Sequence, residues 1–325
     1  MNTSNNAGER VCTALQWDPA DTSCQIEPLV TLPHSFVARV QRASDQPMIF
    51  KQAGDPGFAA GMRKELTINR DVLSQFSDPV GPAFIAGDES TELPWILFED
   101  IAVNHQPATT QPPLRRQIEL FVDSLARTHA QARNLPLADL FQNVDGDRRV
   151  SDGAEHVPAV LDEFLHRMDH NRFPARNFEL VRSLRDNIPK LAELLDGDET
   201  LMHGDAHFAN ALYSDSEALL IDWALAVIGP GEVDLAHALA MNLPRLFSVE
   251  YEPDLLERYA ATCCEYGSEV STAEVRERYR SSLLLTVIVA VGMNTVPGMS
   301  DLVWSFMFTN AVHTALDHEA QALLG

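Results

Sequence analysis

Residues 203–210 of this chain read His203-Gly204-Asp205-Ala206-His207-Phe208-Ala209-Asn210, and residues 221–223 read Ile221-Asp222-Trp223. Four residues separate Asp205 from Asn210, and Asp222 follows Asn210 at a distance of twelve residues. Carboxylate and carboxamide oxygens bind magnesium, and a positioned carboxylate can also take a proton from a hydroxyl group. The two segments together therefore predict a site for metal-assisted chemistry.

The residues between these two segments predict a β-hairpin. Two short apolar runs, 211–213 and 218–221, lie on either side of the polar residues 214–217. Antiparallel pairing brings the outer ends of a hairpin together. We therefore expect Asn210 and Asp222 to lie side by side, where both can bind one metal–phosphate complex.

The spacing of Asp205 and Asn210, D-x-x-x-x-N, is that of a protein kinase catalytic loop. In that loop the Asp accepts the proton of the substrate hydroxyl, the Asn binds one magnesium ion, and a later Asp binds the metals against the ATP phosphates. The full string resembles the signature of the aminoglycoside phosphotransferase and choline kinase-like family, H-G-D-x-H-x-x-N followed by I-D-W or I-D-F. The resemblance implies that Asp205 is the catalytic base and that Asn210 and Asp222 bind the metal. It also places His203 in the catalytic loop, where we expect it to support the loop rather than to transfer protons.

A second segment extends the resemblance beyond the metal site. Residues 229–236 read G-P-G-E-V-D-L-A and look like the family's G-x-x-x-x-D-L-A pattern. We interpret Asp234 as structural, because a carboxylate at the start of a helix accepts free backbone N–H groups and can brace a neighbouring loop. His129 lies in a family-like L-A-x-x-H-A segment, and we interpret it as a packed residue at a helix end.

Lys51 is the predicted phosphate-binding cation. Strand-like runs at 36–41 and 48–51 flank a turn-forming connection, and Lys51 ends the second run. In the kinase arrangement a lysine on the third strand contacts the α and β phosphates and is held by a glutamate of the next helix. Glu65, on a helix predicted over residues 58–76, is the expected partner of Lys51, and its neighbour Lys64 is the competing lysine.

Two further segments are expected to contact the nucleotide. Residues 32–36 should cover the phosphates but contain no glycine, so we expect the Ser35 hydroxyl, with help from His34, to replace some of the backbone N–H groups of a glycine-rich loop. Residues 94–102 resemble the family's linker between lobes, where adenine is expected to bond to the backbone of Phe98, Glu99 and Ile101. A plain buried strand would also explain the linker residues.

The resemblance implies an α+β, two-lobe, protein-kinase-like fold with a small β-rich N-lobe and a larger helical C-lobe. We expect a nucleotide-binding lobe over residues 1–98, a hinge over 99–102 and a helical lobe over 103–325, with residues 1–8 frayed. Apolar spacing predicts helices over residues 114–133, 157–170, 178–195, 255–266, 272–296 and 302–324.

Composition limits the partners of the protein. Asp and Glu outnumber Lys and Arg by 47 to 24, a net charge of −23 that repels nucleic acid and favours a neutral or cationic small-molecule acceptor, although acidity can equally serve solubility. The longest apolar run, 283–291, is shorter than the roughly 20 residues that span a bilayer. The four cysteines form no metal or disulfide pattern. We therefore expect a cytoplasmic protein with no membrane partner, and the sequence leaves the oligomeric state open.

The predicted activity is transfer of a phosphoryl group from ATP, or from GTP, to a hydroxyl of a small molecule, with Mg²⁺. By resemblance the acceptor is an antibiotic of aminoglycoside or nucleoside type, with choline or another amino alcohol, a sugar or another metabolite as the alternative. Residues Asp162, Glu163, Asp301 and Trp304 are candidates for the acceptor pocket, although solvated helix faces explain them as well.

Two alternatives come from other classes of protein. His203, Asp205 and His207 alternate along the chain and could form a metallohydrolase ligand set, but that interpretation leaves Asn210 and Asp222 without a role. The glycine-free phosphate loop would also suit a nucleotide-binding regulator that has lost turnover. The presence of Asp205 argues against such a regulator.

Overall fold

The structure is a computed structural model that describes residues 3–18, 23–32, 34–43, 45–110, 112–142, 144, 146–169, 171–197, 199–296 and 298–325. A small sheet-containing lobe precedes a larger helical lobe, so the predicted two-lobe α+β kinase-like fold is confirmed. The sheet ends at Glu99, and the first long helix of the second lobe begins at Arg115.

The N-terminal lobe is a five-stranded antiparallel sheet with the strand order β1-β2-β3-β5-β4. Both strands predicted from the sequence are confirmed, and the second extends two residues beyond Lys51. Val37 and Ile96 flank Lys51 on the two neighbouring strands. The elements of this lobe are α1 (Thr3–Leu15), β1 (Cys24–Thr31), β2 (Ser35–Arg42), β3 (Met48–Ala53), α2 (Ala59–Thr67), β4 (Phe84–Asp88) and β5 (Trp95–Glu99).

The expectation of a frayed N-terminus is wrong from Thr3 onwards; Met1 and Asn2 lie outside the described residues. Ala7 and Val11, one helical turn apart, are buried in a cluster with the outward-facing side chains of β2 and β3. Arg10 fixes the same helix to the end of β3, because its guanidinium donates to the Gln52 side chain and to the Ala53 carbonyl. Helix α1 therefore covers the face of the sheet opposite the cleft.

Helix α2 packs on the other face of the sheet. The helix predicted over residues 58–76 is confirmed in place, but only its first half is α-helical. The chain continues as a π-helical turn, Ile68–Val72, and a 3₁₀ turn, Leu73–Gln75. Leu66 of α2 is buried with Ile96 and Phe98 of β5, which holds the preceding residue, Glu65, beneath the sheet.

The C-terminal lobe consists of helices around two small sheets, β6–β9 and β7–β8. The predicted hairpin is confirmed: Ala211 of β7 pairs with Leu220 of β8 in antiparallel register. The elements of this lobe are α3 (Arg115–Ala132), α4 (Leu137–Leu140), α5 (Val157–Arg167), α6 (Ala175–Asp186), α7 (Ile188–Leu194), β6 (Glu199–Met202), β7 (Ala211–Tyr213), β8 (Ala218–Leu220), β9 (Val227–Pro230), α8 (Glu232–Ala236), α9 (Arg245–Glu265), α10 (Thr272–Gly292) and α11 (Asp301–Asp317).

Four of the predicted helices differ from those observed as follows. The helix predicted over 178–195 is divided at Asn187, because Pro189 cannot donate to the preceding turn and starts α7 instead. The helix predicted over 302–324 ends at Asp317, since Glu319 has a φ of 51°. Helix α9 begins ten residues before the predicted start, and α5 ends at Arg167, with His170 outside the described residues. Among the helices that the structure describes, none is long and apolar enough to cross a membrane.

Candidate active site

A cluster of charged side chains lies between the lobes, centred on Lys51. Its Nζ lies 2.7 and 2.9 Å from the two carboxylate oxygens of Glu65 and 2.9 Å from Oδ1 of Asp222. Burial alone would lower the pKa of Lys51, but the two carboxylates outweigh burial and raise the pKa, so the ammonium is charged. Lys64 points away and donates to the Asp147 carbonyl at 2.7 Å, which leaves Lys51 as the partner of Glu65.

The loop at residues 203–210 is held from behind by Asp234, which lies in the first turn of α8. Its carboxylate accepts the backbone N–H groups of His203, at 2.5 Å, and Gly204, at 3.0 Å. It also accepts Nε2–H of His129 at 3.1 Å, while Nδ1 of His129 accepts the hydroxyl of Tyr259. Burial would raise the pKa of Asp234, but these donors hold it below its ordinary value. The chain Tyr259–His129–Asp234 thus fixes the start of the loop.

Both ring nitrogens of His203 have hydrogen-bond partners. Its Nε2–H donates to the Ile221 carbonyl at 2.9 Å, so Nδ1 is the acceptor for the Asp205 N–H at 3.3 Å. The ring also lies 4.6 Å from that of Trp223. His203 therefore links the backbone of Asp205 to the backbone just before Asp222. With both ring nitrogens occupied it has no position for a metal, which removes the metallohydrolase ligand set.

Gly204 is required by the shape of the loop. Its φ is +79°, and a Cβ at this position would lie 2.0 Å from the Leu225 carbonyl oxygen. Any side chain would therefore force the catalytic loop away from residues 223–225.

The Asp205 carboxylate is a half-buried acceptor surrounded by donors. The side-chain amide of Asn210 donates to its Oδ2 at 3.1 Å and to its carbonyl at 3.0 Å, and Nε2 of His207 lies 3.4 Å from Oδ2. Burial would raise the pKa of Asp205, but the interaction with His207 outweighs burial and holds the pKa below its usual range. His237 Nε2 lies 3.9 Å from Oδ1, yet burial lowers the pKa of His237 to about 4, so at neutral pH it contributes a dipole rather than a charge.

Asn210 and Asp222 have oxygens that fit a magnesium site. The two donor contacts of the Asn210 amide nitrogen fix the orientation of that amide and leave Oδ1 for a cation. Asp222 uses Oδ1 on Lys51, and its side chain is 47% exposed. The Ile221 N–H donates to the Asn210 carbonyl at 2.9 Å, which places the two ligand candidates side by side at the open end of the hairpin. Two protein oxygens suffice, because Mg²⁺ in nucleotide sites takes its remaining ligands from phosphate and water.

Asp222 has a strained backbone. Its φ of 68° and ψ of 66° lie in the left-handed region, which non-glycine residues occupy at a cost on the order of 1–3 kcal/mol. The conformation turns the chain sharply between β8 and the 3₁₀ turn Trp223–Leu225. This backbone conformation directs the Asp222 carboxylate towards Lys51, and we interpret the strain as the cost of that direction.

The glycine-free loop closes as a tight turn. Leu32 and Ser35 exchange backbone hydrogen bonds of 2.9 and 3.3 Å, with Pro33 outside the described residues. Ser35 lies two positions before Val37, the partner of Lys51, and so faces the cleft with Lys51. Within the described part of the chain, the buried Ser35 hydroxyl has no hydrogen-bond partner. It is therefore available to a ligand.

The linker between the lobes is anchored by a residue that the sequence reasoning missed. Arg39 of β2 donates to Asp100 Oδ2 at 2.5 Å, and Asp100 Oδ1 accepts the Ala102 N–H. The Glu99 N–H is used on the Ala83 carbonyl, and the Ile101 carbonyl accepts two N–H groups from residues 104 and 105. Fewer backbone groups of the linker are thus free to form hydrogen bonds with adenine than we expected.

An apolar cavity of about 420 Å³ adjoins the catalytic loop at Gly204, Asp234 and His237, and is called here the aliphatic cavity. A larger open groove of about 610 Å³ between α3 and α9 is lined by charged residues such as Asp123 and Arg258. Asp205 lines neither space, but only the aliphatic cavity includes its neighbour Gly204. The aliphatic cavity was not foreseen, because its lining comes from segments scattered between residues 147 and 289.

The residues suggested from the sequence for the acceptor pocket do not line this cavity. Asp162 pairs with Arg185, Glu163 with Arg167, and Asp301 with Arg172, all on exposed helix faces. Trp304 is buried among phenylalanines, and its ring N–H donates to the Ala290 carbonyl. The three acids are therefore solvated ion-pair partners, and Trp304 is a core residue.

The two-lobe fold is that of the small-molecule phosphotransferases with a kinase-like architecture. The chain belongs to the phosphotransferase enzyme family, whose family model matches residues 33–272. A sequence search of curated proteins found no match.

Solved structures of similar fold include kinases for several kinds of small molecule. A choline/ethanolamine kinase family protein from Mesorhizobium loti has a TM-score of 0.62 at 15% identity, with 99% of each chain covered. The streptomycin–ATP–APH(2″)-IIa ternary complex has a TM-score of 0.61 at 12% identity, with 98% of this chain and 99% of that chain covered. Macrolide 2′-phosphotransferase MphH from Brachybacterium faecium has a TM-score of 0.58 at 13% identity, with 87% and 91% covered. At such identities the likeness shows the fold and leaves the acceptor undetermined.

Proposed function

We propose that the protein transfers the γ-phosphoryl group of ATP, with GTP as the alternative donor, to a hydroxyl group of a small molecule. The observation that carries the proposal is one connected set of contacts. Asn210 donates to Asp205 and lies beside Asp222, and Asp222 pairs with Lys51. A base, two magnesium ligands and a phosphate-binding cation therefore lie together, as phosphoryl transfer requires.

Asp205 is the catalytic base in this proposal. Its depressed pKa keeps the carboxylate ionised at neutral pH, ready to accept the proton of the acceptor hydroxyl. The hydroxyl oxygen then forms the new bond to the γ-phosphorus, and the bond to the β–γ bridging oxygen breaks, with the electron pair leaving on ADP. His203 and Asp234 act as positioning residues, since they contact the loop backbone.

Lys51, with Ser35, binds the phosphates, and Glu65 orients the ammonium. Magnesium held by Asn210 and Asp222 would neutralise phosphate charge as the phosphoryl group leaves. Phe98, Glu99 and Ile101 border the adenine site, where Phe98 supplies a buried ring opposite Ile49. Because the phosphate loop lacks glycine, Lys51 has a larger share of phosphate binding than it would under a glycine-rich loop.

The solved structures of similar fold suggest antibiotics and choline-like alcohols as the first acceptors to test. The experiment is ADP release from MgATP across a library of aminoglycosides, nucleosides, macrolides, amino alcohols and sugars, with the parent protein and Asp205→Asn side by side. We expect slow ATP hydrolysis without acceptor and faster ADP release with at least one acceptor. A nucleotide-binding regulator would bind MgATP and show neither, which would refute the proposal.

A further inference from the structure

The wall of the aliphatic cavity has hydrocarbon surface that no residue in the described part of the chain covers. Leu285 and Val289, one turn apart on α10, are half-buried, as are Ile188 and Leu195 on the opposite side at α7. Val227 of β9 lines the same cavity and is also half-buried. Contact between large aliphatic side chains and water is unfavourable, and the rest of this lobe has a well-packed core. This surface therefore favours an apolar ligand.

The buried polar groups of the same wall already have hydrogen-bond partners or carry no charge, and one of its ion pairs is closed within the lining. The Asp234 carboxylate is 1% exposed and accepts three N–H groups from His129, His203 and Gly204. His237 is buried and neutral at pH 7. Arg149 and Glu199, which also line the cavity, are paired with each other. Asp147 and Asp196 also line the cavity, but both are exposed residues, where an ion pair contributes little. A cation in contact with the aliphatic wall would be buried away from them, and burying an unpaired charge is costly.

The cavity borders the loop that carries Asp205, although Asp205 itself is not one of its lining residues. Gly204 and His237 line it, and His237 Nε2 lies 3.9 Å from Asp205 Oδ1. The exposed Leu225 side chain forms part of the rim, next to the turn that begins at Asp222. A molecule in the cavity therefore has its end nearest His237 close to the Asp205 carboxylate.

We propose that the aliphatic cavity is the acceptor site and that it takes an uncharged alcohol with a compact apolar body, in preference to a cationic amine or a polyamine antibiotic. This inference rests on the proposed function and specifies its acceptor. The net charge of −23 attracts cations at long range, but salt screens that attraction beyond about 8 Å. The cavity wall instead interacts with the ligand by direct contact. Contacts with the aliphatic wall, rather than the net charge, therefore decide which acceptor is preferred.

A matched pair of alcohols tests the preference. 4-Cyclohexylcyclohexanol and 4-(piperidin-4-yl)cyclohexanol have the same hydroxyl and nearly the same size, but the second has a protonated amine in the distal ring. With MgATP we expect kcat/KM to be at least about tenfold higher for the uncharged alcohol. Equal values, or a preference for the amine, would overturn the inference and leave the proposed phosphoryl transfer standing.

Two variants and a control locate the effect in the cavity. Val289→Glu places a carboxylate on the α10 wall, and Leu195→Gln, just after α7, makes a milder polar change if the first variant folds poorly. Leu302→Glu is the control, because Leu302 is an exposed aliphatic residue of α11 outside the cavity. We expect either cavity variant to lower kcat/KM for the uncharged alcohol, about tenfold for Val289→Glu, while ATP hydrolysis without acceptor and the control stay unchanged.

A binding measurement separates failure of this inference from failure of the proposed function. Nile red, an uncharged dye that fluoresces in apolar sites, is titrated into the parent, the cavity variants and Leu302→Glu. If neither alcohol accepts phosphate, weaker dye binding by the cavity variants than by the parent and the control still supports an apolar ligand site. Equal dye binding by all four proteins would then overturn it. Absence of MgATP binding and of ATP hydrolysis would refute the proposed function alone.

Discussion

The charged cluster around Lys51 and the aliphatic cavity lie on two sides of the same catalytic loop and have opposite chemistry. In the cluster, Lys51 has two carboxylate partners and Asp205 accepts an amide N–H. In the cavity, half-buried aliphatic side chains adjoin a buried carboxylate, that of Asp234, which is already hydrogen-bonded. Under the two proposals above, the contrast corresponds to a division of labour, in which the cluster would handle the charge of phosphoryl transfer and the cavity would select the acceptor. Residues of the cluster could then be changed without altering the choice of acceptor, and residues of the cavity without altering phosphoryl transfer.

The largest expected effect is that of Asp205→Asn, which should lower kcat by about 10²–10⁴-fold for every acceptor. Binding of MgATP, measured by calorimetry, should change by less than about twofold, because the residue addresses the acceptor hydroxyl. Asp215→Asn in the exposed turn of the hairpin is the matched control. A loss that differs strongly between acceptors would contradict the division of labour.

Lys51→Ala should reduce kcat/KM for ATP by about 10²-fold, in the range seen when a donor to developing charge is lost. Glu65→Ala should have a smaller effect, and the double variant should be little worse than Lys51→Ala, since the two residues act as one unit. Steady-state kinetics with varied ATP gives all three values. Lys190→Ala, whose ammonium contacts only the exposed Glu193, is the control. Additive losses would show that Glu65 does not act through Lys51.

Asp222→Ala should weaken binding of MgATP about tenfold or more, because a contact to a charged group is worth roughly 1.5–3 kcal/mol. Binding of ATP without magnesium should weaken much less, and Asn210→Ala should have the milder effect of the two. A magnesium titration of nucleotide binding measures all of these values. Should Asp222→Ala bind MgATP as tightly as the parent, the proposed metal site at the end of the hairpin is wrong.

The smallest effect concerns His237, which contacts both regions. Its pKa is about 4 in the folded protein and 6.5 in an unfolded chain, so the unfolded state binds more protons between these values. Stability is therefore lost as pH falls from about 6.5 to 4, by up to about 3 kcal/mol at 1.36 kcal/mol per pKa unit. Urea unfolding at pH 7 and pH 4.5 should show a smaller loss for His237→Gln than for the parent or for His156→Gln, an exposed control. Equal losses in all three would mean that His237 is not the group that titrates.

The cluster could be predicted from the sequence because short-range patterns specify it. The polar turn between two apolar runs was enough to place Asn210 beside Asp222, and the order of strand and helix placed Glu65 under Lys51. The anchoring of the linker by Arg39 and Asp100 left no such pattern, because the two residues are distant in sequence. Pro189 was a readable signal for the break between α6 and α7, and the reasoning passed over it.

The aliphatic cavity could not be predicted, because it is a product of packing. Leu285 and Val289 look like any other apolar residues of a buried helix, and only the position of α7 opposite them leaves space between the two. Domain boundaries, the roles of the site residues, the choice between ATP and GTP and a cytoplasmic location stay predictions.

Helix α1 has a practical consequence for anyone who makes this protein. The family match begins at residue 33, which invites an expression clone trimmed to that point. Such a clone would lose α1 and β1, and with them the cover over Phe36, Ala38 and Phe50 and the first strand of the sheet. An exposed apolar face beside an unpaired strand edge promotes aggregation. An insoluble preparation of the trimmed chain would therefore not test the activity of the untrimmed chain.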